Sequence, residues 1–347
     1  MDDDSVAGKG SSVAESTVDL VLEGGGVKGI ALAGALRELT ATRTVQRVAG
    51  TSAGAIVAAL LAAGYTVAEL EQEMRGLDFT SFQDGPARHF GFVGAAVAVL
   101  LHNGVYKGDA LHAWVSERLS AKGVTTFAQL RRADSGDDAG TPPYRLAVVI
   151  SDISRGRVLR LPEDGRALLG VDPDTVRVAD AVRASASIPF YFRPTKLRPG
   201  PSQGGRPLVC VDGGLLSNFP VGLFDRRDAA EPRWPTIGVK LSMRRTPRQD
   251  WRPVRNPVEL TRRLVSTMTG AHDQFHVDRA CVRERTVFVD TTGVRAADFR
   301  ISRAQTERLY ASGRSAAREF LDAWDFRAWV DHCRPPGGGG EPGGGTA

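Results

Sequence analysis

Val18-Asp19-Leu20-Val21-Leu22 is a short β-rich run that stops at a cluster of glycines, which predicts a strand. Ile30, Ala33, Leu36 and Leu39 then recur every three residues and mark one apolar helix face. Val45-Gln46-Arg47-Val48-Ala49 reads as a second strand. Strand, helix and strand within roughly thirty residues form a βαβ unit, whose crossover forces the two strands parallel. Both loops that follow these strands then lie at the carboxyl edge of the sheet, where open α/β sheets bind their ligands. Ala53 to Ala63 is rich in Ala and Leu and predicts a helix, with Gly64 ending it. Leu146 to Ile150 and Leu208 to Val211 are further strands, and Val258 to about Glu284 is a further helix. Phe90 to Leu101 is an apolar run that reads as a buried helix, or as a channel lining or lid.

The first carboxyl-edge loop, Gly24-Gly25-Gly26-Val27-Lys28-Gly29, fits the GxGxxG dinucleotide pattern. That pattern calls for an acidic residue about twenty positions on, and the chain has Gly50-Thr51-Ser52-Ala53-Gly54 there. Nor is it a Walker loop, because Lys28 is followed by Gly29. A glycine run ahead of a helix still bares backbone N–H groups that can hold a negative charge. The second loop fits GxSxG, a nucleophile elbow. Small residues at Gly50 and Gly54 are needed because side chains there would collide across the turn. The helix that follows turns its positive end toward Ser52. Ser52 reads either as a nucleophile or as a plain helix cap.

A serine hydroxyl needs a base. None of the histidines (His89, His102, His112, His272, His276, His332) sits in a small-residue loop after a convincing strand. His272 and His276 are spaced i, i+4 on the predicted helix, but no HExxH pattern accompanies them, so surface or packing roles are favoured. Asp212 ends a strand and is followed by Gly213 and Gly214, which would let another backbone approach closely. It reads as a site carboxylate or as an Asx-turn residue. Asp152 also follows a strand, but Ser154-Arg155-Gly156-Arg157 reads as a hairpin turn and favours a turn role for it.

Composition changes this picture little. With 347 residues, 42% apolar and 24% charged, the chain is of ordinary globular character. Three cysteines, Cys210, Cys281 and Cys333, are odd in number and far apart, which argues against a disulfide scaffold and a cysteine-rich zinc site. The formal charge of +5 is modest, and only six of the 45 basic residues are lysine, so the basic balance does not argue for nucleic acid. Residues 1–17 are polar, without a signal-peptide pattern, and residues 334–347 are mostly Gly and Pro. Both are expected to be disordered. No apolar run reaches the length of a membrane span. A cytoplasmic chain is expected, peripheral at most to a membrane. Arg244 to Arg263 is arginine-rich around Trp251 and reads as a solvated face or an anionic-surface contact.

Three motifs in order resemble the patatin-like phospholipases, with a bacterial member in view: GGGxKG at Gly24 to Gly29, GTSAG at Gly50 to Gly54, and DGG at Asp212 to Gly214. Asn218, Pro220-Val221 and the A-S-x-x-x-P stretch Ala184 to Pro189 look like the same family. The resemblance covers roughly Val18 to Phe224, with a looser likeness through Thr267 to Gly270 and Gly293-Val294. It implies a three-layer α/β/α sandwich with a mainly parallel sheet. Residues 18–225 would be the catalytic domain and 226–333 an extension packed on it. It implies acyl-ester hydrolysis of lipids with Ser52 as nucleophile, Asp212 as general base, the Gly24, Gly25 and Gly26 amides as oxyanion hole, and no metal or cofactor. Lipid is the implied substrate, reached by transient contact with a membrane surface. Lys28 would orient the loop or favour anionic head groups. A Ser–Asp–His carboxylesterase using His272 and a nucleotide-binding module using the glycine loop are the rival readings. A catalytically silent lipid-binding protein is a third.

Overall fold

The computed structural model describes residues 16–85, 98–99, 101–132, 143–226, 228, 230–242, 280–296 and 298–333. In chain order the strands are β1 (Thr17–Leu22), β2 (Thr44–Thr51), β3 (Gly104–Tyr106), β4 (Leu146–Asp152), β5 (Arg157–Leu161), β6 (Phe190–Phe192), β7 (Thr195–Leu197), β8 (Leu208–Asp212), β9 (Thr236–Lys240) and β10 (Thr286–Phe288). The helices are α1 (Ile30–Leu39), α2 (Ala53–Ala62), α3 (Val67–Gly76), α4 (Asp109–Ala121), α5 (Val178–Ser185), α6 (Ala280–Glu284), α7 (Arg303–Ala323) and α8 (Phe326–Cys333). The predicted unit β1–α1–β2 is present, and its strands pair in parallel.

The main sheet runs β10-β9-β1-β2-β4-β8-β7, with β5 added on β4, while β3 and β6 pair separately. The pairs from β10 to β4 are parallel. β8 and β5 join β4 antiparallel, and β7 joins β8 antiparallel. The sheet is thus parallel through its centre and antiparallel at one side. It is covered on both faces, as period-2 alternation in β1 requires. Leu20 and Leu22 enter the large core packed by α1, α2, α3, α4, α5 and α7. Val21 points the other way, onto Phe219, Val221 and Phe224, with Val282 of α6 beside them. This is the expected α/β/α sandwich, with the second layer thinner among the described residues.

Register on β4 brings distant residues together. Val148 and Val149 pair with both β2 and β5, while Ile150 to Asp152 pair with both β8 and β5. Since a strand has two edges, β2 and β8 share the edge opposite β5. Their carboxyl ends therefore meet head-on, Thr51 opposite Val149 and Asp212 opposite Ile150.

Beyond β8 the chain returns to the sheet and to the first helical layer. β9 and β10 extend the sheet from β1, and α7 packs along α1. Cys281 and Cys333 form a disulfide between α6 and α8, which corrects the expectation drawn from their separation. Cysteines 52 positions apart in sequence can still be neighbours once α8 folds back, and Trp329 of α8 donates to the Cys281 carbonyl at 2.9 Å. Cys210 is free and buried. His89, His272, His276, Arg244 to Arg263 and all of Phe90 to Leu101 except 98, 99 and 101 lie outside the described residues. Among the described residues, no helix is long and apolar enough to cross a membrane.

Candidate active site

Ser52 lies between β2 and α2 with φ 52° and ψ −121°. That is a left-handed backbone for a non-glycine residue, a strained state that persists where the surroundings fix it and that clusters at functional sites. Its glycine neighbours have the steric reason predicted for them. A Cβ on Gly50 would lie 2.2 Å from the Gly54 carbonyl oxygen, and one on Gly54 would lie 2.3 Å from that of Leu22. The turn is tight because α2 starts directly over the end of β1.

The Ser52 hydroxyl donates to Asp212 Oδ2 at 2.5 Å. Asp212 Oδ1 accepts from the Gly214 amide at 2.8 Å. Asp212 therefore makes the Asx-turn contact with one oxygen and bonds the Ser52 hydroxyl with the other. Gly213 is glycine because a Cβ there would sit 2.2 Å from the Val149 carbonyl oxygen of β4. Asp212 is buried, and desolvation pushes its carboxyl up to about 6, against the hydrogen bonds from Ser52 and Gly214 that favour the ionised form. Burial thus makes Asp212 a stronger base than a solvent-exposed carboxylate.

The glycine loop leans on the elbow. A Cβ at Gly24 would approach Ser52 Cβ to 3.1 Å, and one at Gly29 would approach Ala53 Cβ to 3.1 Å. Gly26 has φ +55°, and a Cβ there would fall 2.0 Å from the Ala296 carbonyl oxygen, which also accepts from the Val27 amide at 3.1 Å. Among the described residues, the amides of Gly24, Gly25 and Gly26 donate to no other group. Lys28 is half-buried, and desolvation lowers its ammonium from the ordinary lysine value while Glu23 opposes that shift.

Of the supports of this loop, sequence reasoning named Asn218 only as part of the family pattern and missed Glu23 and Lys240. Glu23 is buried at the end of β1. Its Oε1 accepts from Lys240 Nζ at 2.5 Å and from Asn218 Nδ2 at 3.2 Å, and its Oε2 accepts from the Leu241 amide. Asn218 Nδ2 also donates to the Gly24 carbonyl at 3.3 Å. The available signal was a charged residue at the end of each of two apolar strands, since buried charges need partners. Asp152 takes the predicted turn role, accepting from the Ser154 amide at 2.9 Å. Among the described residues, no histidine bonds to Ser52 or Asp212; His112 lies against Asp180 at 2.7 Å.

The arrangement sets a hydroxyl bonded to a carboxylate against a glycine loop whose first three amides are unengaged among the described residues. Comparison with known proteins gives the following likenesses. The family described as patatin-like phospholipase matches residues 20–225. An uncharacterized protein YqhO of Bacillus subtilis (strain 168) is 37% identical over 317 residues, covering 89% of this chain and 99% of the relative. Among solved structures, VipD from Legionella pneumophila is similar with a TM-score of 0.49 at 16% identity, over 89% of this chain and 67% of VipD. ExoU from Pseudomonas aeruginosa, solved with SpcU, gives a TM-score of 0.45 at 20% identity, over 92% of this chain and 58% of that one.

Proposed function

Since the chain belongs to the patatin-like phospholipase family, we propose that it hydrolyses acyl esters of lipids with Ser52 as nucleophile and Asp212 as its proton acceptor. The observation that carries this reading is the 2.5 Å hydrogen bond from the Ser52 hydroxyl to the buried Asp212 carboxylate, next to the glycine loop.

In the first half-reaction Ser52 Oγ attacks the ester carbonyl carbon as its proton passes to Asp212 Oδ2. The carbonyl oxygen takes up the negative charge and is received by amides of Gly24, Gly25 and Gly26, each such donor being worth about 3 kcal/mol of barrier. The intermediate collapses, the C–O bond to the alcohol breaks, and Asp212 returns the proton to that oxygen. In the second half-reaction water attacks the acyl-enzyme, Asp212 takes its proton, and the fatty acid leaves as Ser52 recovers the proton. An acid near 6 suits both directions, since a proton shuttle works best when its pKa lies close to the operating pH. Lys28, held half-buried beside the loop, supplies positive charge that favours anionic head groups. Contact with lipid is transient and at a membrane surface.

The test is a lipid panel with mass spectrometry of released fatty acids, run on the wild type beside Ser52→Ala, together with labelling by a fluorophosphonate probe. Ser52→Ala loses both fatty-acid release and labelling. Labelling that survives the substitution excludes Ser52, and loss of activity in folded His272→Ala or His276→Ala replaces the dyad by a histidine triad. The panel also separates phospholipid from neutral lipid.

A further inference from the structure

Ser52 and Asp212 are 160 positions apart in sequence, yet one short segment at the end of α5 grips the backbone of both. The Ser52 amide donates to Ser185 Oγ at 2.9 Å, and that hydroxyl donates in turn to the Val149 carbonyl of β4 at 2.6 Å. Two residues on, the Ser187 carbonyl accepts from the Asp212 amide at 2.9 Å. Ser185 and Ser187 are both fully buried. The segment is itself anchored by Arg183, another buried residue of α5. Its guanidinium donates to Ser187 Oγ at 2.6 Å, to the Gly108 carbonyl at 2.9 Å, and to the Lys107 and Arg193 carbonyls at 2.6 and 3.1 Å. A planar guanidinium with donors in a fixed fork is suited to hold several carbonyls in one geometry.

We infer that Ser185 is a positioning residue for the proposed hydrolysis. Its hydroxyl fixes the left-handed backbone of Ser52 against β4, while the same segment fixes Asp212 through Ser187. Ser185 touches no reacting atom. It acts because Val149, whose carbonyl it engages, lies opposite Thr51 in the sheet, and the next residue, Ile150, lies opposite Asp212. The hydroxyl therefore ties the elbow to the one strand that sets the distance between hydroxyl and carboxylate. Without it the Ser52 amide loses its partner, and the turn is free to relax away from a φ that a non-glycine residue disfavours. A misplacement of about 1 Å in a reacting group costs about 100-fold in rate.

This inference rests on the reading of Ser52 as nucleophile, and the experiment separates the two. Wild type, Ser52→Ala and Ser185→Ala are compared by fluorophosphonate labelling rate and by kcat and KM on a soluble short-chain ester. Cooperative urea unfolding checks the fold of each. Folded Ser185→Ala shows kcat and labelling rate lowered about 30- to 100-fold with KM unchanged. Labelling at the wild-type rate, or a loss of activity carried by KM, overturns the positioning role. Residual labelling of Ser52→Ala overturns the nucleophile assignment instead. If Ser185→Ala does not fold, Thr195→Ala examines the anchor from its far side, since Thr195 Oγ1 lies 3.0 Å from Ser187 Oγ and 3.5 Å from Arg183 Nη1. A labelling rate lowered about threefold or more at unchanged KM supports the inference, and a wild-type rate overturns it.

Discussion

Asp212→Asn separates the chemical role of the carboxylate from its cost to the fold. The two side chains have nearly the same shape, so an amide can still accept from Gly214 and bond to Ser52. What changes is titration. Burial pushes the Asp212 carboxyl up to about 6, whereas the unfolded chain returns it to about 3.9. A difference of about 2 pKa units corresponds to about 3 kcal/mol. The folded state binds the proton more tightly, so this stabilisation is complete below about pH 3.9 and is lost as pH rises through about 6. Asparagine has no such slope, and the other carboxylates titrate alike in both proteins and cancel on subtraction. The stability of wild type minus that of Asp212→Asn, from urea unfolding at each half unit between pH 4 and 7.5, should fall by about 2 to 3 kcal/mol across the range. The variant therefore gains on the wild type as pH rises from 4 to 7. A flat difference would refute the burial argument. A difference that rises with pH would mean that a cation holds the carboxylate ionised.

Three other outcomes follow from the same geometry. Because Asp212 must be ionised to accept the proton, kcat/KM falls about tenfold per pH unit below about 6; a limb centred near 4 would contradict the desolvation of the carboxyl. Gly54→Ala drives a methyl to within 2.3 Å of the Leu22 carbonyl oxygen and lowers stability by about 1 to 3 kcal/mol with loss of labelling, whereas Gly76→Ala, where the new carbon meets nothing within 4 Å, keeps both. Lys240→Met leaves the Glu23 carboxylate buried without its ammonium and costs about 3 to 5 kcal/mol by urea unfolding; adding Glu23→Gln recovers part of that loss, and a double variant no better than the single one removes the pairing argument.

The local elements were legible because each is written in neighbouring residues. The short β-rich run of Val18 to Leu22 before the glycine cluster, the three-residue apolar recurrence from Ile30 to Leu39 and the Ala-rich run after Ser52 gave strand, helix and helix within a residue or two of their observed ends. Right-handed crossover then required a parallel pair with both glycine-rich loops at one edge. The need for glycine at positions 50, 54 and 213 was also readable, since small residues in fixed places around a serine and an acid mean that backbone must pass close by. Family resemblance joined the motifs into one site, although spacing along the chain contains no distance between Ser52 and Asp212.

That distance is a product of the sheet. β8 runs antiparallel to β4 and ends where β2 ends, so Thr51 and Asp212 face consecutive positions of a third strand, and Ser52, the next residue after Thr51, reaches a carboxylate 160 positions away. No periodicity in β2 or β8 encodes the meeting, because register depends on how each packs against β4. The same holds for Glu23, Lys240 and the Cys281–Cys333 pair, each an ordinary residue in its local sequence, and Ser185, although it lies in the A-S-x-x-x-P stretch, acquires its contacts only from what the fold sets beside it. Local sequence therefore determined which groups can react and which turns present them. Tertiary packing decided how far apart they stand and how dry they are, since burial depends on every layer of the molecule at once.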